Sequence, residues 1–449
     1  MSRDLFGHPR GLTYLFGTDM WERFSYYGMR ALLIYYLTKY VLLPGHVEQV
    51  LFYPAIKNFY EWMSGPLNVQ QLSSLIYGTY TGLVYGTPLI GGWIADRYIG
   101  QRRAVMIGIL LMALGHFAMA SERFLFVALT LLIVGSGFFK TNTMAQVGML
   151  YGAGDSRRDR AYSVYYVGTN LGALIAPLVA GTLGEKVGWH YGFGAAGIGM
   201  MIALAVYVKG WRYLPPERVE REKKQEFEPL NRREWKAVGA LILLAIPLTL
   251  YWACYEQQGN TFALWVSDHA DRTLIPGLIT WQIPATWFQS IGSLMIFVFT
   301  PFLIALWTGQ AKQGREASSM VKMIYGCAMQ ALSYFILAFA AWYAGGTNAS
   351  WLWTLPYFII YTFGELYLSP ISNSLYSKIA PLRVTSLMMA VNFAPNFLGG
   401  GFLQGWLGTY WTGMSAPAFF VMIAGVSVIS GLIILAMERP LRDLLNDRA

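Results

Sequence analysis

Long apolar runs alternate with short polar segments along almost the whole chain. Twelve of these runs have about the 20 mostly apolar residues that a helix needs to cross a bilayer. They cover residues 11–42, 72–95, 104–120, 123–150, 161–184, 191–210, 236–266, 281–308, 318–344, 350–379, 384–410 and 416–437. The runs are continuous rather than alternating, which excludes the strands of an outer-membrane barrel. The pattern predicts an all-α polytopic membrane protein with 12 transmembrane helices.

A charged segment separates the first six runs from the last six. It predicts an N-terminal six-helix bundle (1–210), a cytoplasmic linker (211–235) and a C-terminal six-helix bundle (236–449). The linker is too short for an extra helix pair between the bundles, so none is expected. A solvated linker is the simplest interpretation, and an amphipathic helix on the membrane surface is the alternative. A duplicated bundle of this kind is typical of transporters.

Composition and charge agree with a membrane protein. Of 449 residues, 55% are hydrophobic and only 13% are charged, about half the usual share of a soluble protein. The net charge is +9, and most of the 33 Lys and Arg residues fall on one side if the N-terminus is inside. The positive-inside rule then predicts both termini in the cytoplasm and a protein of the cell (inner) membrane. These bases would face anionic lipid, and no nucleic-acid partner is expected.

Sequence signals of an enzyme are weak. The two cysteines, Cys254 and Cys327, lie in apolar runs, and the five histidines lack the spacing of metal ligands. The chain has no phosphate-binding loop of the ATP-driven type and no complete nucleophile elbow. We therefore expect no metal, no cofactor and no enzymatic activity.

Seven ionisable residues lie well inside the predicted spans. An ionised side chain at the bilayer centre costs about 2.5–3.5 kcal/mol, so such residues pair, lose their charge or line a wet cavity. Four acids stand against three bases, which leaves one carboxylate without a basic partner and able to take up a proton. Ion pairs with a purely structural role, or a permanently protonated carboxyl, are the alternatives. The seven are Asp19, Glu22, Arg23, Arg30, Lys140, Glu256 and Glu365.

The first predicted helix concentrates these charges on one face. At 100° per residue, Asp19, Glu22, Arg23, Tyr26 and Arg30 fall within about 100° of one another. A polar face on a membrane helix is expected to point toward a central cavity and not toward lipid.

One loop resembles a superfamily signature. After the second predicted helix the chain reads Gly92-Trp93-Ile94-Ala95-Asp96-Arg97, followed by Gly100, Arg102 and Arg103. This G-x-x-x-D-R-x-x-G-x-R-R run resembles the signature loop of the major facilitator superfamily, whose fold has two six-helix bundles.

Further motifs resemble the proton-dependent oligopeptide transporter family, also called POT or PTR. Residues 19–28 (DMWERFSYYG) resemble the family's helix 1 motif, E-x-x-E-R-F-x-Y-Y-G, and residues 165–172 (YYVGTNLG) its helix 5 motif, F-Y-x-x-I-N-x-G. Residues 139–142 (FKTN) resemble the helix 4 lysine motif, and residues 252–259 (WACYEQQG) the helix 7 motif. Glu365 and Pro370 resemble the family's helix 10 motif.

The resemblance implies a rocker-type symporter that imports di- and tripeptides with protons. Arg30 and Lys140 would bind the peptide carboxylate, and Glu365 would bind its α-ammonium. Asn170, Tyr26 and Tyr85 would hydrogen-bond the peptide, and Tyr27 and Trp252 would line roomy side-chain pockets.

The family also implies gates and a proton site. Arg30 would pair with Glu256 on the outer side, and Lys140 with Glu365 on the inner side. Asp19, Glu22 and Arg23 would form the proton-linked cluster. The expected partners are peptides, protons and membrane lipids, and we expect a monomer.

Three positions depart from the family pattern. Asp19 replaces the usual glutamate and is shorter by one methylene group, Gly292 stands where many bacterial members have asparagine, and Asn392 stands where tryptophan is common. Two alternative functions remain open. One is a same-family transporter of nitrate or a small metabolite, and the other is a peptide receptor that does not transport.

Overall fold

The protein is almost entirely helical. The computed structural model describes residues 7–152, 155, 157–216, 230–275, 277–381 and 384–446. The helices are α1 Arg10–Tyr36, α2 Tyr53–Ser64, α3 Val69–Ile94, α4 Gln101–Ala118, α5 Leu125–Met149, α6 Arg157–Ala176, α7 Thr182–Lys186, α8 Trp189–Gly210, α9 Arg232–Tyr255, α10 Thr261–His269, α11 Phe288–Lys312, α12 Ser319–Tyr343, α13 Thr354–Ile379, α14 Thr385–Phe397, α15 Gln404–Gly408 and α16 Ala416–Asn446.

Short strands and irregular helical turns connect these helices. The strands β1 Ala270–Asp271 and β4 Ala349–Ser350 pair in parallel, and β2 Thr273–Ile275 pairs antiparallel with β3 Ile279–Gln282. Wide π-helical turns occur at Leu37–Val41, Ala95–Ile99, Pro177–Gly181 and Leu398–Leu403. Single 3₁₀ turns occur at Val47–Gln49, Glu122–Phe124, Trp211–Tyr213, Glu256–Gly259, Ala285–Trp287, Trp351–Trp353 and Trp411–Gly413.

Each of the twelve predicted runs overlaps at least one helix. Seven segments are long and apolar enough to cross a membrane by length and composition among the described residues. Large apolar side chains such as Phe302, Ile246, Leu332 and Leu435 are about half exposed or more, whereas polar Glu22 is fully buried. Apolar surface outside and polar groups inside suit a lipid solvent, so the chain is a multi-pass membrane protein.

Two details of the prediction were wrong. The span predicted to begin at residue 281 begins at Phe288, because residues 279–282 form β3 of a hairpin whose turn includes Gly277 at φ +80°. Glycine adopts this left-handed conformation without a Cβ penalty. The second omission is α2, which is short and amphipathic and therefore lacks the long apolar run that marks a span.

The predicted linker is only partly within the described residues. Residues 217–229, which make up about half of the predicted linker, lie outside them. α9 begins at Arg232, four residues before the predicted start, because Asn231 caps it. The Asn231 side chain accepts a hydrogen bond from the Glu234 backbone N–H, and the Glu234 side chain accepts one from the Asn231 N–H, which forms a capping box.

The helices form two compact units. The first lies within residues 1–73 and 83–223, and the second within 74–82 and 224–449. The contacts therefore divide α3, which the sequence analysis assigns entirely to the N-terminal bundle. Residues 74–82 group with the second unit because the backbone at Gly78 lies close to the backbone at Gly401. A Cβ added at Gly78 would be 2.6 Å from the Gly401 carbonyl oxygen. Backbones can approach this closely only where both residues lack a side chain.

Each unit has its own packing. In the first unit, a Cβ at Gly91 of α3 would lie 2.2 Å from the Gly137 carbonyl oxygen of α5, so these helices touch backbone to backbone. In the second unit, a core of buried side chains joins α9, α12, α13 and α16, and it includes Leu244, Met323, Leu368 and Ile434. These rigid contacts fix the helices that carry the charged residues inside each unit.

Candidate functional site

Three charged side chains of α1 form a buried cluster in the first unit. Arg23 Nε lies 2.7 Å from Glu22 Oε2 and 3.7 Å from Asp19 Oδ1. Asp19 is 1% exposed and Glu22 is 0% exposed. One guanidinium thus faces two carboxylates, as the helical spacing predicted. Counted as ionised, the three side chains carry one excess negative charge, and a buried charge of this kind needs compensation.

Two hydroxyl groups from α6 hold the Asp19 carboxylate. The Tyr165 hydroxyl donates to Asp19 Oδ1 at 2.6 Å, and Thr169 Oγ1 donates to Asp19 Oδ2 at 2.6 Å. α6 can approach α1 closely because Gly172 has no side chain. A Cβ at Gly172 would lie 2.3 Å from the Met20 carbonyl oxygen. The sequence analysis did not identify Tyr165 or Thr169. Their spacing of four residues on one face of α6 is a signal that points to a shared target.

Glu22 is less well satisfied than its neighbour. Among the described residues, neither of its carboxylate oxygens accepts a hydrogen bond, and its close contact is the ion pair with Arg23. A buried carboxylate without hydrogen-bond donors is costly in its ionised form.

Lys140 lies among aromatic rings. Its Nζ is 4.8 Å from the ring centroid of Tyr26 and 4.9 Å from that of Tyr85. The ammonium is close enough to both rings for cation–π attraction. Arg23 Cζ lies 5.7 Å from the same Tyr26 ring centroid, so this ring is shared by two cations. The structure thus brings Tyr26, Tyr85 and Lys140 together from α1, α3 and α5.

The other predicted residues of the first unit lie on the same helices. Arg30 is buried on α1, two turns beyond Glu22. Asn170 is buried on α6, where its Nδ2 donates to the Tyr166 carbonyl oxygen at 3.0 Å. Tyr27 contacts Tyr26 edge to face, with ring centroids 5.1 Å apart.

Glu365 of α13 lies beside aromatic side chains in the second unit. The Tyr255 hydroxyl hydrogen-bonds the Glu365 carboxylate. The Tyr255 ring stacks on Tyr361, with centroids 4.9 Å apart and planes 15° apart, and it meets the Trp252 ring edge to face at 4.9 Å. Tyr361 OH also donates to the Tyr255 carbonyl oxygen at 2.7 Å, which fixes the pair. Neither Tyr255 nor Tyr361 was predicted as a site residue from the sequence, although Tyr361 lies one helical turn before Glu365.

Glu256 is buried where α9 changes to a 3₁₀ turn. It is 2% exposed, and a Cβ at Gly400 would lie 3.0 Å from its Cγ. The glycine-rich wide turn at 398–403 therefore provides the space for this side chain. Each predicted gate pair has one residue in each unit: Arg30 and Lys140 in the first, and Glu256 and Glu365 in the second.

Two of the family departures have a local structural context. A Cβ at Gly292 would lie 3.4 Å from Gln258 Nε2, so the absence of a side chain leaves that room to Gln258. Asn392 is buried, and its Nδ2 donates to the Asn373 side-chain oxygen. The amide nitrogen of that buried side chain thus has a hydrogen-bond partner.

Metal chemistry finds no geometric support in the described part of the chain. No group of three or more His, Cys, Asp or Glu side chains comes together there in a way that could hold a metal ion.

Comparisons with known proteins agree on the family. The sequence profile of the Major Facilitator Superfamily matches residues 49–403. The peptide transporter YePEPT of Yersinia enterocolitica subsp. palearctica serotype O:3 (strain YE-P4) is 31% identical, and the alignment covers 99% of this chain and 97% of that protein. The di-/tripeptide transporter of Lactococcus lactis subsp. cremoris is 30% identical, with 99% of this chain and 98% of that protein covered. These relatives are transporters, which confirms the prediction of a transporter rather than an enzyme.

Solved structures show the same fold. A crystal structure of a peptide transporter POT in complex with sulfate has a TM-score of 0.85 and 29% identity, covering 99% of this chain and 97% of that one. A POT family transporter in complex with 5-aminolevulinic acid has a TM-score of 0.84 and 27% identity, with 98% of both chains covered. Profile, full-length relatives, fold and the motifs at 19–28, 165–172 and 252–259 point the same way, and the chain belongs to the POT (PTR) family of the major facilitator superfamily.

Proposed function

We propose that the protein is a proton-coupled symporter that imports di- and tripeptides by alternating access. The observation that carries this proposal is the chemistry of its buried charges. Two cations, Arg30 and Lys140, and a separate carboxylate, Glu365, are the groups needed to recognise the two ends of a peptide. The full-length similarity to di-/tripeptide transporters supports the same substrate class.

The peptide carboxylate binds to Arg30 and Lys140, and its α-ammonium binds to Glu365. A guanidinium can hold a carboxylate with two parallel hydrogen bonds, and a lysine ammonium adds a point charge. Every short peptide has both termini, so this mode of binding is independent of sequence.

Aromatic and amide groups complete the binding site. Tyr26 and Tyr85 already contact Lys140, and Asn170 is buried on α6. Trp252, with Tyr27, lines the side-chain pockets. Large rings offer apolar contact to many side chains without demanding a particular one.

Proton coupling is assigned to Asp19, Glu22 and Arg23. Two carboxylates facing one guanidinium are neutralised by a single added proton, which changes the electrostatic field at Lys140 on the adjacent helix. The gate pairs, Arg30 with Glu256 and Lys140 with Glu365, form and break as the protein alternates. A peptide terminus that binds one partner of a gate pair competes with the other partner, so binding favours opening of that gate.

The proposed membrane arrangement has 12 spans without an extra helix pair. An N-terminal bundle (1–210) and a C-terminal bundle (236–449) flank a cytoplasmic linker (211–235). Both termini lie in the cytoplasm, the protein resides in the inner membrane, and it works as a monomer. The distribution of Lys and Arg supports this orientation.

A small amino-acid-like metabolite is the second candidate substrate. The observation in its favour is the similar POT family transporter that binds 5-aminolevulinic acid, a molecule with an amine and a carboxylate. Nitrate is less well supported, because it has no group for Glu365 to bind.

The decisive experiment is uptake of a labelled dipeptide into proteoliposomes, with and without a pH gradient that is acidic outside. We expect the gradient to drive accumulation above the external concentration. An unlabelled tripeptide should compete, whereas a free α-amino acid and nitrate should not.

Other outcomes identify the rivals. Binding without accumulation would identify a receptor. Competition by 5-aminolevulinic acid but not by a tripeptide would identify a metabolite transporter. Accumulation that is the same with and without the pH gradient would contradict proton coupling.

A further inference from the structure

The Asp19 carboxylate is enclosed by groups from three helices of the first unit. On its own helix, Arg23 Nε lies 3.7 Å from Oδ1, and Glu22 is one turn away. From α6, Tyr165 and Thr169 each donate a hydroxyl at 2.6 Å, one to each carboxylate oxygen. From α5, Lys140 acts on it electrostatically. Of these groups, only the two hydroxyls bond both oxygens and so fix the plane of the carboxylate.

These residues depart from the quoted family motifs at three positions that meet in space. Position 19 is aspartate where the helix 1 motif has glutamate. Positions 165 and 169 are tyrosine and threonine where the helix 5 motif has phenylalanine and isoleucine. The shorter acid and both added hydroxyls belong to one hydrogen-bonded group.

Thr169 has a second acceptor within reach. Its Oγ1 lies 3.3 Å from the Tyr165 carbonyl oxygen, in addition to 2.6 Å from Asp19 Oδ2. A hydroxyl donates one proton but can also accept. Thr169 can therefore donate to an ionised Asp19, or accept from a protonated Asp19 and donate to the Tyr165 carbonyl oxygen. Both protonation states of Asp19 keep a bonded neighbour without moving a helix.

The geometry points to Tyr165 and Thr169 as positioning residues that hold the short Asp19 side chain in the proton-linked cluster. The two hydroxyls hold the Asp19 carboxylate in place although its side chain is one methylene group shorter than that of glutamate. Arg23 Nε meanwhile keeps its 2.7 Å contact with Glu22. This inference rests on the proposed proton-coupled transport and adds the residues that make it work with aspartate.

The test removes the hydroxyls and then restores the longer acid. Tyr165→Phe with Thr169→Val keeps side-chain volume and removes both donors. Hydrogen bonds to a charged group are worth roughly tenfold each in an equilibrium constant, so we expect gradient-driven accumulation to fall by about tenfold or more. Peptide exchange at equal pH on both sides needs no net proton movement, and it should stay within about twofold of the wild type.

Adding Asp19→Glu to the double variant is the rescue. The longer side chain can reach Arg23 without the hydroxyls, and the triple variant should regain at least half of the wild-type accumulation. Asp19→Glu alone should be impaired, because the extra methylene group then competes with the hydroxyls for space. Tyr162→Phe is the matched control, since Tyr162 is on the same helix as Tyr165 and its hydroxyl lies beside Gly148 of α5.

The outcomes separate this inference from the proposed function. Wild-type accumulation in the double variant, or a triple variant no better than the double, would overturn the positioning role. Reduced exchange in the double variant that the triple variant does not restore would also overturn it, because a positioning role requires rescue by the longer acid. A wild-type protein that accumulates no peptide under a pH gradient would overturn the proposed function, and this inference with it.

Discussion

Glu365 is bordered by aromatic residues of its own unit. The Tyr255 hydroxyl bonds the carboxylate, and the Tyr361 and Trp252 rings pack against Tyr255. Rings of this kind exclude water from a carboxylate and strengthen its attraction to an incoming cation. Lys140 in the first unit also lies beside aromatic rings, those of Tyr26 and Tyr85, but its side chain is a cation and not an anion.

Replacing Glu365 by glutamine tests the proposed ammonium site. Glu365→Gln keeps the shape and the Tyr255 contact but removes the charge, so we expect peptide accumulation to fall by about 100-fold or more, as truncating a buried charge pair does. Glu48→Gln, an exposed substitution outside the membrane helices, should transport normally. Uptake in proteoliposomes measures both variants, and normal accumulation by Glu365→Gln would refute the assigned role.

The charged residues of α1 were predictable, and their partners were not. A helical period of 3.6 residues is enough to place Asp19, Glu22 and Arg23 on one face. The hydroxyls of Tyr165 and Thr169 come from a different helix, and their contact depends on how closely α6 approaches α1. No local pattern in the sequence predicts the distance between α6 and α1.

At the scale of elements, glycines determine which helices touch. α3 and α5 meet at Gly91 and Gly137, and α9 meets the wide turn at 398–403 where a Cβ at Gly399 would lie 2.0 Å from the Thr249 carbonyl oxygen. Contacts this short place two backbones in direct van der Waals contact, which is the main source of helix association in lipid.

Gly91→Ala should therefore destabilise the first unit. The added Cβ would lie 2.2 Å from the Gly137 carbonyl oxygen, and only a backbone shift can relieve that overlap. Overpacking costs about 1–3 kcal/mol or more. We expect a melting temperature in detergent several degrees below that of the wild type.

A second glycine supplies the control for this prediction. Gly239 is also in a membrane helix, α9, but a Cβ there would have no heavy atom within 4 Å. Gly239→Ala should melt at or slightly above the wild-type temperature, because alanine favours helix. Equal melting temperatures for both variants would mean that the α3–α5 contact is looser than described.

The elements were predicted well where they are long and apolar. All twelve predicted runs contain helix, because burial in lipid requires every backbone group to be bonded within the segment. The prediction failed at α2, which lies outside the apolar runs, and at the β2–β3 hairpin, whose second strand overlaps the start of the predicted run 281–308. Length in a bilayer is a strong signal, whereas a 12-residue helix or a four-residue strand has no comparable constraint.

At the scale of the whole molecule, both native cysteines are hidden from solvent. Cys254 and Cys327 are free thiols and are 0% exposed. The wild-type protein should therefore react little with a membrane-impermeant maleimide until it is denatured. The native chain is in effect a cysteine-free background for single-site labelling.

Single cysteines can then test the proposed orientation. Ser64→Cys lies at the exposed end of α2, and Gln313→Cys lies just after α11. We expect Ser64→Cys to be labelled in right-side-out membrane vesicles and Gln313→Cys in inside-out vesicles. The reverse pattern would place the termini outside the cell.

Two of the wide turns interrupt helices that continue beyond them, one in each unit. They lie at Pro177–Gly181, between α6 and α7, and at Leu398–Leu403, between α14 and α15. A π-helical turn takes one residue more than an α-helical turn, so all later side chains are rotated by about 100° relative to a regular helix. A helical wheel drawn from Thr385 to Gly408 would point Gln404 and Gly405 toward the wrong neighbours. Accessibility scans of these helices need a separate wheel on each side of the turn.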